Sequence, residues 1–203
     1  MPAARVVILA GPSGSGKSRL AGRLHTAYGW PIVRLDDFYK DGDDPSLPSQ
    51  PDLGIPDWDD PRSWRGEDAV AALVELVETG RTQTPVYDIS TSRTTGTQEV
   101  TAPPEALIVA EGIFAAEAIG PLHAAGVLHS AWCISQGRNL TFVRRLVRDL
   151  AERRKPPWTL LQRGLALRAA EPGTIARQVA LGARAARPAD VEGLLTTTAT
   201  HLG

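Results

Sequence analysis

The stretch VVILAGPSGSGKS, residues 6–18, decides the fold of this chain. Its first five residues, Val6–Ala10, are apolar and predict a short buried strand. Residues 11–18 match the pattern GxxxxGK(S/T) in full, and a helix is predicted over Lys17–Tyr28. Glycines let backbone N–H groups converge on phosphate oxygens, and the N-terminus of the following helix adds partial positive charge. The sequence therefore predicts a loop that binds the phosphates of a nucleoside triphosphate.

Two side chains of this loop, and one acid elsewhere, have specific predicted tasks. Lys17 reaches the terminal phosphates, and the Ser18 hydroxyl is a ligand for Mg²⁺. The apolar residues 107–110 run directly into Glu111 and Gly112. A carboxylate at the end of a buried strand is unfavourable unless it is paired or bound to a metal. Glu111 is therefore predicted to hold or orient the magnesium ion, and a helix cap is the alternative.

Strands and helices alternate along the rest of the chain. Further strands are predicted at residues 32–35, 84–89, 107–110 and 127–134, and further helices around 70–77, at 115–124 and at 138–154. This order predicts an α/β fold of three layers, with a central parallel sheet covered on both faces. Residues 84–101 are expected to form a small hairpin insertion. Residues 158–203 are expected to be a helical tail, broken near Glu171, Pro172 and Gly173.

Composition bounds the cellular setting. The 203 residues are 42% hydrophobic, without a long apolar run, and suit a single domain, residues 1–203. A formal charge of −1 gives no field for nucleic acid or an anionic membrane, so neither is expected as a partner. The single cysteine, Cys133, and an N-terminal apolar run too short for a signal peptide favour a cytoplasmic location. The oligomeric state stays open.

Charge is unevenly distributed along the chain. Residues 36–60 contain nine aspartates and one lysine, a local charge of −8, whereas residues 144–155 carry +4. These segments suggest a metal, a polyanionic ligand or mutual attraction, and solvated surface is the alternative. Residues 41–61 contain five prolines, so they form a long loop of the kind that is often functional.

Asp36 and Asp37 follow the second predicted strand. In a sheet of this class, ligands lie beyond the carboxyl ends of the strands. A carboxylate there could accept the proton of an acceptor hydroxyl and orient it toward the γ-phosphate. Either aspartate could act in this way, and a strand-end turn is the structural alternative.

Six short motifs, in this order, resemble the uridine kinase family, which is related to phosphoribulokinase and pantothenate kinase. The motifs are GPSGSGKS (11–18), LDDFYK (35–40), WDDP (58–61), PVYD (85–88), EGI (111–113) and RRLVRDLAER (144–153). The resemblance implies a P-loop NTPase fold with a helical lid at residues 138–157. It also implies an ATP-dependent kinase that phosphorylates a hydroxyl acceptor, with a nucleoside of the uridine or cytidine type as the expected acceptor.

The resemblance also implies roles for individual residues. Asp36 is the implied catalytic base, and Lys17 and Arg148 are the implied groups that stabilise the transferring phosphoryl group. Magnesium is assigned to Ser18, Glu111 and Asp36. The implied nucleotide-binding residues are Gly11, Ser13, Gly14, Ser15, Gly16, Lys17, Ser18, Arg19, Arg144, Arg145, Arg148 and Arg153. The implied acceptor-binding residues are Asp36, Tyr39, Lys40, Asp59, Tyr87 and Ser92.

One departure from the family pattern leaves the acceptor open. Ser92 stands where the family usually has a histidine that contacts the base. A kinase of the same fold for a sugar acid, a sugar phosphate or a vitamin alcohol is therefore an alternative. A nucleotide-dependent regulatory protein is another, but it would need a guanine-reading NKxD segment, which the sequence lacks. It would also leave Asp36 and Tyr87 without a purpose.

Overall fold

Strand β1 (Val6–Ala10) lies at the centre of a five-stranded parallel sheet. The computed structural model describes residues 5–50, 54–136 and 171–200. From one edge to the other, the sheet contains β2 (Ile32–Arg34), β5 (Ile108–Glu111), β1, β6 (Leu128–Ile134) and β7 (Arg184–Ala186). The predicted central parallel sheet is confirmed.

Helices and turns connect these strands. The helices are α1 (Lys17–Tyr28), α2 (Gly66–Thr79), α3 (Ile119–Ala124), α4 (residues 171–180) and α5 (Pro188–Thr200). Short 3₁₀ turns occupy Leu35–Phe38, Pro61–Ser63 and Ala115–Ala118. No helix in the described ranges is long and apolar enough to cross a membrane.

The core has one half on each face of the sheet. Alternate side chains of β1 point to opposite faces, so Val6 and Ile8 join one cluster while Val7 and Leu9 join the other. The first cluster also takes the apolar faces of α2 and α3, and the second takes those of α1 and α5. The predicted three-layer arrangement is therefore correct.

The hairpin begins three residues earlier than predicted. Strands β3 (Arg81–Asp88) and β4 (Arg93–Thr101) pair antiparallel as a separate two-stranded sheet. Gly80, at φ +77°, ends α2 in the left-handed conformation and turns the chain directly into β3. Thr82 and Thr84 are buried on one side of β3, and Thr82 Oγ1 donates to Glu75 Oε2 on α2 at 2.5 Å, so the first residues of the strand pack against α2.

One prediction about the C-terminal tail is wrong, and another is not tested. Residues 171–180 are helical and include Pro172 and Gly173, but the chain just before them lies outside the described residues, so the predicted break near Glu171 stays a prediction. Residues 184–186, expected to be helical, form β7 instead. They pair with β6, whose free edge offers a row of unpaired backbone groups. The predicted lid helix, residues 138–157, and the first part of the tail lie outside the described residues.

Candidate active site

The phosphate-binding loop follows β1, and its backbone depends on glycine. Gly11 and Gly16 have φ values of +141° and +100°, a region that side-chain-bearing residues rarely adopt. A Cβ on Gly11 would lie 2.4 Å from the Ile134 carbonyl oxygen and 2.9 Å from Ser15 Oγ. Gly16 caps the N-terminus of α1. The loop is therefore tightly seated between β1 and β6, with the N-terminal N–H groups of α1 directly after it.

Lys17 and Ser15 give this loop its polar character. Lys17 is only 5% exposed, and its Nζ donates hydrogen bonds to the carbonyl oxygens of Gly11 at 2.8 Å and Pro12 at 3.2 Å. Ser15 is fully buried, and its Oγ has no hydrogen-bond partner within the part of the chain that the structure describes. A buried hydroxyl without a partner is unfavourable unless a ligand supplies one. The loop therefore carries donor capacity that suits a phosphate.

Ser18 and Glu111 meet although 93 positions separate them. Ser18 Oγ donates a hydrogen bond of 3.0 Å to Glu111 Oε1. The contact follows from the sheet register, which places Glu111 opposite Leu9 at the end of β1. Burial raises the pKa of the Glu111 carboxyl, the nearby Lys17 ammonium opposes the rise, and the negative charge of Asp36 adds to it. A hydroxyl and a carboxylate beside a phosphate loop form a donor set that suits Mg²⁺.

The structure separates the two aspartates that sequence alone leaves equivalent. Asp36 Oδ1 accepts a hydrogen bond of 2.9 Å from the backbone N–H of Ile113, just beyond Glu111. Asp37 is buried elsewhere, at 4% exposure, where it accepts a hydrogen bond from the Tyr87 backbone and faces Arg34 at 3.7 Å. Burial raises the pKa of Asp37. Asp36 is therefore the aspartate that lies beside the phosphate loop and Glu111.

Aromatic rings surround Tyr39 next to this carboxylate. The Tyr39 ring lies 5.7 Å from that of Trp58 and 5.9 Å from those of Tyr87 and Phe114. Its hydroxyl donates to the Trp58 carbonyl oxygen at 3.2 Å. Burial raises the pKa of Tyr39, and the charges of Asp36 and, less strongly, Asp59 raise it further. Asp36 and Asp59, which are distant in sequence, thus lie near the same hydroxyl.

Hydrogen bonds join the β3–β4 hairpin to the chain segment that follows Asp36, and they involve Tyr87, Ser92 and Lys40. The Tyr87 hydroxyl donates to the Lys40 carbonyl oxygen at 3.2 Å, and it is also hydrogen-bonded to the Ser92 side chain. Ser92 has φ +52°, and its carbonyl oxygen accepts a 2.7 Å hydrogen bond from the N–H of Gly42. Lys40 Nζ donates to Ser46 Oγ at 2.8 Å. Ser92 therefore supports the loop that follows Asp36, and Lys40 extends along that loop.

The remaining predicted residues are placed as follows. Ser13 and Gly14 are half-buried in the phosphate loop, and Arg19 is exposed on the first turn of α1. The four predicted lid arginines, Arg144, Arg145, Arg148 and Arg153, lie outside the described residues.

Sequence reasoning missed three contributors to the site. Ile113, whose backbone N–H donates to Asp36, is the last residue of the EGI motif, and Phe114 follows it directly, so the motif could have drawn attention to both. Gln178, which contacts the Ile113 carbonyl oxygen, gives no local signal. Among the described residues, no group of three or more His, Cys, Asp or Glu side chains is arranged to hold a metal ion. Any magnesium bound by Ser18 and Glu111 would therefore share its coordination with substrate oxygens and water.

Comparison with solved structures finds the same fold in other proteins. A candidate fructose transport system kinase from a Silicibacter species superposes with a TM-score of 0.63 at 20% identity, over 93% of this chain and 89% of that one. D-glycerate 3-kinase from Cryptococcus neoformans superposes with a TM-score of 0.50 at 17% identity, over 86% of this chain and 79% of that one. At these identities the likeness shows the fold alone. No curated protein matches the sequence.

Family membership is decided by the sequence itself. The profile of the phosphoribulokinase/uridine kinase family matches residues 6–157, which include β1, the phosphate loop, Asp36, the hairpin and Glu111. The match spans about three quarters of the chain and all the groups that the sheet brings together beyond the ends of β1, β2 and β5. The chain therefore belongs to the phosphoribulokinase/uridine kinase family.

Proposed function

We propose that this protein transfers the γ-phosphoryl group of ATP to a hydroxyl group of a small polyhydroxylated acceptor, with a uridine- or cytidine-type nucleoside as the first candidate. One observation carries the proposal: the Asp36 carboxylate is held by the Ile113 N–H beside Glu111 and the phosphate loop. A positioned carboxylate next to a triphosphate site is the arrangement that activation of a hydroxyl acceptor requires.

On the nucleotide side, the loop after β1 binds the phosphates through backbone N–H groups and the N-terminus of α1. Lys17 Nζ, which rests on the Gly11 and Pro12 carbonyl oxygens, turns toward the terminal phosphates when ATP binds. The Ser15 hydroxyl gains a partner in the same event, since it is buried and unpaired among the described residues. Both changes concentrate positive charge and donors where negative charge develops during transfer.

Ser18 and Glu111 are the residues that would hold Mg²⁺, because their oxygens are already 3.0 Å apart at the mouth of the loop. When bound, the ion neutralises charge on the β- and γ-phosphate oxygens. The burial that raises the pKa of Glu111 makes its bare carboxylate unfavourable, so a cation here would relieve that penalty.

Asp36 performs the proton transfer. Its Oδ1 is engaged by Ile113 N–H, which leaves Oδ2 to accept the proton of the acceptor hydroxyl. As that proton moves to Asp36, the acceptor oxygen forms a bond to the γ-phosphorus and the bond from this phosphorus to the bridging oxygen of ADP breaks. The products are the phosphorylated acceptor and ADP, and the proton on Asp36 then returns to solvent.

The acceptor side combines carboxylates with aromatic rings. Asp59 approaches the Tyr39 hydroxyl from the long loop, while Tyr39, Tyr87 and Trp58 present ring surfaces. Carboxylates accept hydrogen bonds from the hydroxyls of a sugar, and aromatic faces pack against a sugar or a base. The Tyr87 hydroxyl is already bonded to Lys40 and Ser92, so its ring is the part left to contact an acceptor.

A second candidate, a non-nucleoside acceptor, is favoured by Ser92. This residue stands where the family usually has a histidine that contacts the base, and its side chain is hydrogen-bonded to Tyr87 while its carbonyl oxygen accepts from the Gly42 N–H. The structurally similar proteins named as a fructose transport system kinase and a D-glycerate 3-kinase accord with a sugar or a sugar acid as acceptor.

The test is ADP release with ATP and Mg²⁺ across nucleosides, sugars, sugar phosphates, sugar acids and vitamin alcohols. Stimulation by uridine or cytidine supports the first candidate, and stimulation only by a non-nucleoside supports the second. Asp36→Asn should lower the stimulated rate about 100-fold or more, because the proton acceptor is lost, with little change in the Kd for ATP. ATP hydrolysis that no acceptor stimulates, or an Asp36→Asn enzyme with the full rate, would contradict the proposal and favour a regulatory nucleotide-binding protein.

A further inference from the structure

Helix α4 contributes a buried polar side chain, Gln178, that contacts the backbone segment to which Asp36 is hydrogen-bonded. Gln178 is 3% exposed, and its Nε2 donates a hydrogen bond of 3.0 Å to the carbonyl oxygen of Ile113. Its Oε1 accepts a hydrogen bond of 3.2 Å from the Cys133 thiol on β6. The partners fix the orientation of the amide, since a carbonyl oxygen can only accept and the thiol here donates. Burial raises the pKa of Cys133 to about 11, so the thiol keeps its proton at neutral pH.

Ile113 connects this amide to the proposed base. Its carbonyl oxygen is held by Gln178, and its N–H donates to Asp36 Oδ1 at 2.9 Å. The residue before it is Gly112, whose backbone is the least restricted of any residue type. The Gly112 N–H donates to the Leu9 carbonyl oxygen at 3.3 Å, and the bond from Gln178 to the Ile113 carbonyl oxygen anchors the backbone on the other side of the Ile113 N–H.

We infer that Gln178 is a positioning residue, which fixes the Ile113 backbone and thereby holds the Asp36 carboxylate in the orientation that phosphoryl transfer requires. The inference rests on the proposed function, because it assumes that Asp36 is the base. The described hydrogen bonds of Gln178 are with Ile113 and Cys133 and none is with Asp36 or the phosphate loop, so its connection to Asp36 runs through Ile113.

The alternative is that Gln178 merely docks α4 onto the sheet. A neighbouring residue provides a matched control for this alternative. Arg177, on the same helix, forms an ion pair with Glu117 on the 3₁₀ turn after β5. This pair also fastens α4 to the segment after β5, but it makes no described contact with Ile113. Arg177→Ala therefore loosens the docking and leaves the contact to Ile113 in place.

The first test does not depend on any acceptor. Amide hydrogen exchange of the full chain, followed by NMR, is compared for wild type, Gln178→Met and Arg177→Ala. Gln178→Met keeps the length of the side chain and removes both its donor to Ile113 and its acceptor for Cys133. Exchange at the Ile113 N–H should accelerate about 10-fold, as for the loss of one hydrogen bond worth roughly 1.4 kcal/mol. Amides of β1 should keep their protection, and Arg177→Ala should leave the Ile113 rate within about twofold. Gln178→Asn, which keeps the amide but is one methylene shorter, serves if the methionine variant does not fold.

The second test is kinetic and uses the acceptor that gives the highest rate in the ADP-release panel. Gln178→Met should lower kcat about 10-fold and leave the KM for ATP unchanged. In an Asp36→Asn background the same substitution should have no further effect on kcat, because both changes remove one function.

Failure of this inference and failure of the proposed function give different experimental results. An unchanged Ile113 exchange rate in Gln178→Met, or equal effects of Gln178→Met and Arg177→Ala, overturns the inference and leaves the proposed function intact. Multiplicative effects of the Gln178 and Asp36 substitutions on kcat also overturn it. An Asp36→Asn enzyme with the full rate refutes the proposed base instead.

Discussion

Gly112→Ala tests the role of Asp36 without altering Asp36 itself. A Cβ on Gly112 would lie 2.7 Å from Asp36 Oδ1, 3.0 Å from Leu35 Cβ and 3.3 Å from the Asp36 backbone nitrogen. The first distance is shorter than any tolerated contact between carbon and oxygen, so the carboxylate must move. The backbone of Gly112 is not in the left-handed region, and the substitution therefore adds no backbone strain.

The expected loss of activity follows from the displacement of the Asp36 carboxylate. Displacing Oδ1 removes the 2.9 Å hydrogen bond from Ile113, a bond to a charged group worth about 1.5–3 kcal/mol. If that energy is lost entirely from the transition state, kcat falls roughly 10- to 100-fold. Overpacking against Leu35 costs about 1–3 kcal/mol of stability, and the lower chain entropy of alanine offsets roughly 0.5–1 kcal/mol of it.

The assay is steady-state ADP release with the best acceptor of the panel, together with ATP titration and thermal unfolding. The Kd for ATP should stay within about twofold, because no atom of the phosphate loop is displaced, and Tm should fall by only a few degrees. Gly193→Ala is the control, since Gly193 lies in α5, a Cβ there would meet no neighbouring atom within 4 Å, and alanine should be neutral or stabilising. A folded Gly112→Ala protein with wild-type kcat would refute the claim that the position of Asp36 governs turnover.

Three further substitutions probe the nucleotide side. Lys17→Ala should abolish turnover and weaken ATP binding in calorimetry. It should leave the far-UV circular dichroism spectrum unchanged, because the lysine belongs to neither apolar core cluster and its Nζ donates to carbonyl oxygens of the loop. Gly11→Ala should lower the free energy of unfolding by about 3 kcal/mol or more in urea titrations, since its Cβ would meet the Ile134 carbonyl oxygen at 2.4 Å and its φ is +141°; a stable variant would show that the loop can shift. Glu111→Gln should impair turnover but stabilise the nucleotide-free protein by about 1 kcal/mol near neutral pH. Because the folded pKa of Glu111 is raised by burial, the folded state retains its proton where the unfolded chain has lost it, so stability falls as pH rises from the ordinary value of 4.5 through the folded pKa. Urea titrations without magnesium should therefore show the gain near pH 7 and none below about pH 4, and a gain independent of pH would contradict this reasoning.

Much of the fold could be predicted from local signals. The apolar run before the glycine-rich loop gives β1, and α1 begins and ends at the predicted residues, because Gly16 and Gly29 bound it in the left-handed conformation. Strand β7 could not be predicted in this way. Its three residues, Arg184–Ala186, carry no periodic pattern and are extended only because the edge of β6 is available to them.

The candidate site likewise contains some residues that local signals identify and others that they do not. The phosphate loop and Glu111 could be identified because a motif and a strand end mark them. The choice between Asp36 and Asp37 could not be made from local chemistry, since the 3₁₀ turn Leu35–Phe38 sends neighbouring side chains in different directions. Gln178 meets Ile113 across 65 positions, and no local pattern reports a contact of that range.

The order of strands in the sheet also separates segments whose sequence is tightly constrained from segments whose sequence can change. The proposed nucleotide-binding groups follow β1 and β5 in the interior of the sheet, whose side chains are packed on both faces. The proposed acceptor groups come from the edge strand β2, the proline-rich loop and the hairpin, which are less deeply embedded. Surface segments tolerate insertion and replacement far better than a close-packed interior does. A lineage with this scaffold can therefore diversify what it phosphorylates while its phosphate donor machinery stays under strict selection.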